Sequence, residues 1–311
     1  MSNQSIEKPK KMGRFKRSLE LTKSSWQVLR LEKNFMLLPV VGMLIELGLI
    51  LVTILAFMAI IAGYGAISGA NNEFSFSSNS NSNPPLWTII PLGIIILIST
   101  FTASLVYGAI VYGAIERFNG NDPTLKGCLK AAYKKKKPLF MFSLLSAFIG
   151  TILKALEERV PFAGQLATRL TGAAWAFASM FAVPYIMTEK EALGPIESTK
   201  KSVGLIKRVW GESLIVSAGV GLVGLLATLS YGTIMLVSSM IAGVFMPSLF
   251  FVGLGIGTIG LIALLIVLSV LSNIVQAAIF YWATTGKAPK SFDKEILEST
   301  MTPKKARKIF A

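Results

Sequence analysis

Six long apolar runs carrying few charges constrain this chain more than any other feature. They are Met36–Ile67, Leu86–Ile115, Leu139–Leu156, Phe162–Met187, Ser213–Val244 and Leu249–Trp282. A helix rises 1.5 Å per residue, so about 20 apolar residues cross the ~30 Å hydrocarbon layer of a bilayer. Inside that layer each backbone polar group needs a partner within the protein, and a helix supplies it within one segment. The expected fold is all-α: a polytopic membrane protein with six transmembrane helices in three hairpins. Hydrophobic residues make up 53% of the 311 residues and charged ones 15%. A mean hydropathy of +0.62 points the same way, away from two water-soluble domains.

The 31 Lys and Arg residues fall on the segments flanking these runs in the order 9, 0, 7, 3, 5, 0 and 7, with Lys154 and Arg169 counted in the fourth. Odd-numbered segments thus hold 28 and even-numbered ones 3. Under the positive-inside rule both termini lie in the cytoplasm, and the chain is a multi-pass protein of a prokaryotic cytoplasmic (inner) membrane. Residues 1–35 then form a basic amphipathic N-terminal segment, 36–283 the six-span domain, and 284–311 a basic cytoplasmic tail. The first apolar run is too long for a secretory h-region and stays as an anchor. The uncharged stretch FSFSSNSNSNPP between the first two runs is read as an external spacer.

A formal net charge of +15 on a soluble chain would suggest nucleic acid. Here the basic segments lack interleaved aromatic platforms, and no nucleic-acid partner is expected. Anionic lipid headgroups at the cytoplasmic face are the expected partners. A protein partner is not identifiable, and a homo-oligomer is compatible with the pattern.

The chain has no His, which removes imidazole acid/base catalysis, imidazole haem ligation and the usual zinc sites. Cys128 is the single cysteine and reads as a small helix-packing residue between Lys126 and Lys130. Two stretches match G-x-G-x-x-G, Gly219–Gly224 and Gly255–Gly260. A dinucleotide site needs that pattern in a turn after a strand. These lie inside apolar helices, where Gly253 and Gly257 instead let spans five and six approach closely. No catalytic residue, cofactor or metal site is expected, and the chain is not read as an enzyme.

Three groups of residues stand out as candidates. Glu46 lies about 15 Å into the first span, near mid-membrane, where a lone carboxylate costs at least a few kcal/mol. Asn273 and Gln276 of the sixth span reach a similar depth, and their amides are placed to hydrogen-bond it if those spans are adjacent. The cluster is either helix-bridging glue or part of a proton- or cation-coupled path, unless Glu46 sits nearer the interface. The second group is LKALEERV, with Lys154, Glu157, Glu158 and Arg159. At about 24 Å and 29 Å from Pro138, Lys154 and Glu157 come at headgroup level on the outer side. Lys154 is expected to pair with Glu157 or Glu158, and Arg169 to add a partner across the hairpin. This cluster caps the hairpin or marks an external ligand entrance.

The third group is a lipid-facing amphipathic helix with Phe15, Leu19, Trp26 and Leu29 on one face. Two similar basic helices are expected near 122–137 and 195–211, with Pro123 and Pro195 in their first turns. All three should lie flat in the inner headgroup layer. Glu116, Arg117, Arg208 and Glu212 read as helix-end ion pairs, and Trp87, Trp210 and Trp282 as interfacial belts.

The successive landmarks GRFKRSLELTKSSWQVLRLEKNFMLLP, AIERFNGNDPTLKGCLKAAYKK, LKALEERV, WAFASMFAVPYIMTE with LGPIESTKKSVGLIKRVWGE, and IFYWATTGKAPKSFD resemble a prokaryotic family of integral membrane proteins of unknown function (DUF6159-like). The resemblance runs over nearly all of residues 12–298. It implies the fold and carries no catalytic residue. A looser likeness in layout exists to membrane domains that accompany glycerophosphodiester phosphodiesterases, whose metal-binding carboxylates and histidines have no counterpart here. The leading expectation is a non-enzymatic membrane-organising or partner- and lipid-binding protein, and the alternative is a transporter or channel using Glu46.

Overall fold

The computed structural model describes residues 23–26, 29–30, 34–67, 86–208 and 213–289. Phe15, Leu19, Trp210, Glu212, the asparagine- and serine-rich loop and the tail beyond 289 lie outside them. Among the described residues the structure is helical and without strands. The elements are α1 (Asn34–Ile67), α2 (Leu86–Phe118), α3 (Leu125–Lys134), α4 (Lys136–Glu157), α5 (Phe162–Ala178), α6 (Ala182–Thr188), α7 (Pro195–Arg208), α8 (Ser213–Phe245) and α9 (Pro247–Thr285). Six segments are long and apolar enough to cross a membrane, with α5 and α6 together forming the fourth.

That fourth segment corrects the sequence reading, which made it one continuous helix. The α5 helix stops at Ser179, and α6 begins at Ala182. Pro184 accounts for the break. It has no N–H to give the carbonyl four residues earlier, and its ring crowds that carbonyl. The carbonyl belongs to Met180, and the Tyr107 hydroxyl oxygen lies 3.3 Å from it. The Phe181 N–H donates to Ser202 Oγ of α7 at 3.0 Å, so a neighbouring helix covers the second loose backbone group.

Helix ends elsewhere follow local chemistry. Thr124 is the N-cap of α3, its hydroxyl accepting from the Gly127 N–H at 3.1 Å. Pro123 therefore precedes the cap rather than sitting in the first turn. Pro195 does open α7, and Pro247 opens α9 after an extended Met246. Gly286 closes α9 at φ 70, a left-handed angle that glycine adopts without a Cβ clash.

The α2 helix is the hub, packing on α1, α3, α4, α6 and α9. Its buried Ala109, Ile110, Val111 and Ala114 meet Ala182, Val183 and Ile186 of α6 and Ile274, Ala277 and Ala278 of α9 in one core. Cys128 and Ala132 of α3 join that core, which bears out packing as the role of the single thiol. A second cluster sets Phe181 against Leu205 and Ile206 of α7 and Phe280 of α9. Leu29 is only 1% exposed and belongs to the first core, so it faces protein and not lipid, whereas Trp26 is 40% exposed. Trp282 packs on both clusters with its indole N–H buried, rather than standing out as a belt residue.

The α8–α9 contact is close at the glycines of α9, as expected, whereas in the first run Gly221 meets nothing within 4 Å and Gly224 makes only ordinary contact with Leu268. A Cβ on Gly257 would run into the Met235 side chain, and one on Gly260 into the Tyr231 hydroxyl. Tyr231 Oη in turn donates to the Gly257 carbonyl at 3.2 Å. Both G-x-G-x-x-G runs lie within these helices, with no turn to hold a phosphate.

Candidate functional site

The predicted polar cluster comes together. Glu46 of α1 and Asn273 and Gln276 of α9 line one cavity of about 850 Å³, walled also by Thr102, Ser104 and Tyr107 of α2, Phe142 of α4, Phe177 of α5 and the Ser179–Met180 break. Gly42 explains how α1 reaches it. Any side chain there would strike Val106, and Glu46 follows one turn later on the same face.

The expected hydrogen bonds to the carboxylate do not form. Among the described residues nothing pairs with Glu46 or with the Asn273 amide, although α1 and α9 are adjacent. Gln276 is occupied by a residue the sequence reading missed: Tyr107 Oη donates to its Oε1 at 2.8 Å and reaches the Met180 carbonyl. Thr102 is 5% exposed, lines the cavity and has no hydrogen-bond partner among the described residues, while Thr100 and Ser104 beside it donate to carbonyls of the preceding turn. A tyrosine and a threonine on an apolar helix give no periodic signal. The signal available for the cavity wall was Pro184.

The charge cluster at the α4–α5 connection is assembled in part. Arg169 Nε donates to Glu157 Oε1 at 2.6 Å, joining α5 to α4 as predicted. Lys154 pairs with neither Glu157 nor Glu158, which corrects that expectation, and Glu158 and Arg159 stand exposed. The pair is largely exposed on the Arg169 side, where an ion pair adds about 0–1 kcal/mol.

At the opposite end lie α3, α7 and the start of α4. Their exposed lysines include Lys126, Lys130, Lys134, Lys136, Lys137, Lys200 and Lys207. Lys201 donates to Glu189 Oε1 at 2.7 Å, and Lys135 to the Glu189 carbonyl at 2.6 Å, tying α7 and the start of α4 to the end of α6. The Glu189 hydrogen bond and charge hold the Lys201 ammonium above its ordinary pKa. The Lys136 ammonium lies over the Tyr133 ring at 4.2 Å and lowers that phenol's pKa through its hydrogen bond. Arg117 pairs with Asp122 at the end of α2. Two grooves open among these lysines. One of about 390 Å³ has a floor of Leu145, Trp175, Ile196 and Val203 with Lys200 and Lys207 at its edge. The other, about 450 Å³, sets Lys136 and Lys137 beside Phe101, Phe140 and Met141. No group of three potential metal donors occurs among the described residues.

Among the described residues, fold and site together define a helical protein with six segments long and apolar enough to span a membrane and a mostly apolar cavity between spans that holds a few polar groups. The chain belongs to a family of unknown function, DUF6159, whose model matches residues 88–290. That range starts within the second span and ends just beyond the sixth. No curated protein and no solved structure matches the chain.

Proposed function

We propose that the chain is a non-enzymatic, multi-pass protein of the prokaryotic cytoplasmic membrane that binds anionic lipid at its cytoplasmic face and organises lipid or a partner there. The spans pair as three hairpins, the basic end faces the cytoplasm, and α3 and α7 sit in the inner headgroup layer with one face on the protein. The observation that carries this reading is the groove between α4, α5 and α7. Lys200 and Lys207 are one α-helical heptad apart and flank an apolar floor, which suits a phosphate above an acyl chain. Exposed basic residues near an anionic leaflet gain about 1 kcal/mol each from its potential.

The test uses the full chain in detergent, titrated with phosphatidylglycerol and with phosphatidylcholine. The anionic lipid should bind more tightly, its preference should shrink as salt rises, and Lys200→Gln with Lys207→Gln should weaken it. Equal affinity for both lipids at low salt contradicts the proposal. Transport is the second reading, favoured by the cavity that holds Glu46 and by the broken fourth span. It requires pH-gradient dissipation in liposomes that Glu46→Gln abolishes.

A further inference from the structure

We infer that the cavity holding Glu46 binds a membrane-soluble organic cation, an apolar body carrying one positive charge, with the Glu46 carboxylate as its counter-ion. The inference concerns equilibrium binding inside the bundle and is independent of the lipid grooves at the basic end.

Size and lining fix the ligand class. A cavity of about 850 Å³ is drug-sized and far larger than a proton relay needs. A hard metal cation would ask for a shell of about six oxygens, whereas this site offers one carboxylate among mostly apolar walls. Glu46 is the one charged side chain among the cavity's lining residues. A ligand anion would meet repulsion there, and a neutral apolar ligand would leave the carboxylate unanswered. Phe142, Phe177 and the Tyr107 ring supply faces that attract a delocalised cation.

Unused hydrogen-bonding groups point into the same space. Among the described residues the Glu46, Asn273 and Thr102 side chains have no hydrogen-bond partner, and all three line the cavity. Tyr107 and Gln276 bind each other and so form a fixed wall. The wall continues through the non-helical Ser179–Met180 backbone, a feature membranes tolerate where protein or a cavity covers it. Met43 and Ser269 line the cavity and are exposed, giving a lateral route between α1 and α9 for a molecule dissolved in the bilayer.

The experiment places the full chain in nanodiscs of zwitterionic lipid and measures radiolabelled tetraphenylphosphonium and tetraphenylborate against empty nanodiscs. The two ions share shape and differ in sign. Wild type should bind the cation saturably and the anion no better than empty discs. Glu46→Gln should weaken cation binding by about tenfold or more, since an ion pair away from water is worth more than the 1.4 kcal/mol a decade requires. Ala173→Phe keeps the carboxylate and fills the space, so it too should lose binding while melting like wild type. Saturable binding of both ions, unchanged affinity in either variant, or no saturable binding at all would overturn the inference.

Discussion

At the end of the bundle where α3 and α7 lie, α2, α6 and α9 bury Ile110, Ile186 and Ile274 in a common core, and Ser202 and Leu205 of α7 hold Phe181 in a second cluster. At the other end the far halves of α8 and α9 meet through glycines, and Val244 and Phe251 stand 85% and 70% exposed. The spans are apolar along both regions, so hydrophobicity alone does not decide which side chains are buried. In a bilayer, lipid is as good a neighbour for Phe251 as protein is, and helices associate through close small-residue packing and hydrogen bonds. Among the described residues the basic end has what the far halves of α8 and α9 lack: a broken span, and two short helices, α3 packed through Cys128 and Ala132 and α7 through Ser202. The cavity opens where these two regimes meet.

The largest contrast is expected between two phenylalanines. Phe181→Ala removes a fully buried ring packed on Phe280 at 6.1 Å between centroids and should cost about 3–5 kcal/mol. Phe251→Ala in the far half should be close to neutral. Unfolding of both variants in mixed micelles measures this, and equal losses would break the comparison.

Within the far half, Gly260→Ala should cost about 1–3 kcal/mol, because the new Cβ displaces the Tyr231 hydroxyl and its bond to Gly257. Gly255→Ala meets nothing within 4 Å and should be silent or slightly stabilising. The same unfolding assay reads both.

At the boundary, Glu46→Leu should leave stability unchanged or raise it. No hydrogen bond to Asn273 or Gln276 is there to lose, and a carboxyl leaves an apolar layer. A loss near 1 kcal/mol, the size of an interhelical hydrogen bond in a membrane, would restore the glue reading.

The smallest effect belongs to the rim. Lys201 is held above the ordinary lysine pKa by Glu189, so the pair's stabilisation is complete below that ordinary value and fades as pH rises through the higher folded one. Lys201→Met should therefore lower the melting temperature slightly at neutral pH, and the gap should close only in strong alkali. A gap that closes between pH 5 and 8 would contradict the assignment.

Much of the fold is legible in the sequence, because span length is a property of the bilayer and not of tertiary packing. Five spans end within a few residues of their apolar runs. The fourth departs from this because its composition stays apolar through the break, which Pro184 alone signals. For the site, depth counting brought Glu46, Asn273 and Gln276 to one cavity, since 1.5 Å per residue suffices when helices run antiparallel across a fixed thickness. It could not say who bonds to whom. Gln276 is held by Tyr107, and a tyrosine on a helix that is apolar on every side gives no sign of the direction it faces. Leu29 misled for a related reason, as amphipathicity identifies an apolar face without telling lipid from protein.

The proposed topology puts the packed, basic end in the cytoplasm and the glycine-packed end on the other side. Single cysteines in a Cys128→Ser background, at Lys137 and Lys207 on the basic end and at Glu158 and Ser248 on the far end, test it directly with a membrane-impermeant thiol reagent on intact cells. Glu158→Cys and Ser248→Cys should label from outside, and Lys137→Cys and Lys207→Cys only after the membrane is opened. External labelling at Lys207→Cys, with Glu158→Cys protected, would contradict the account.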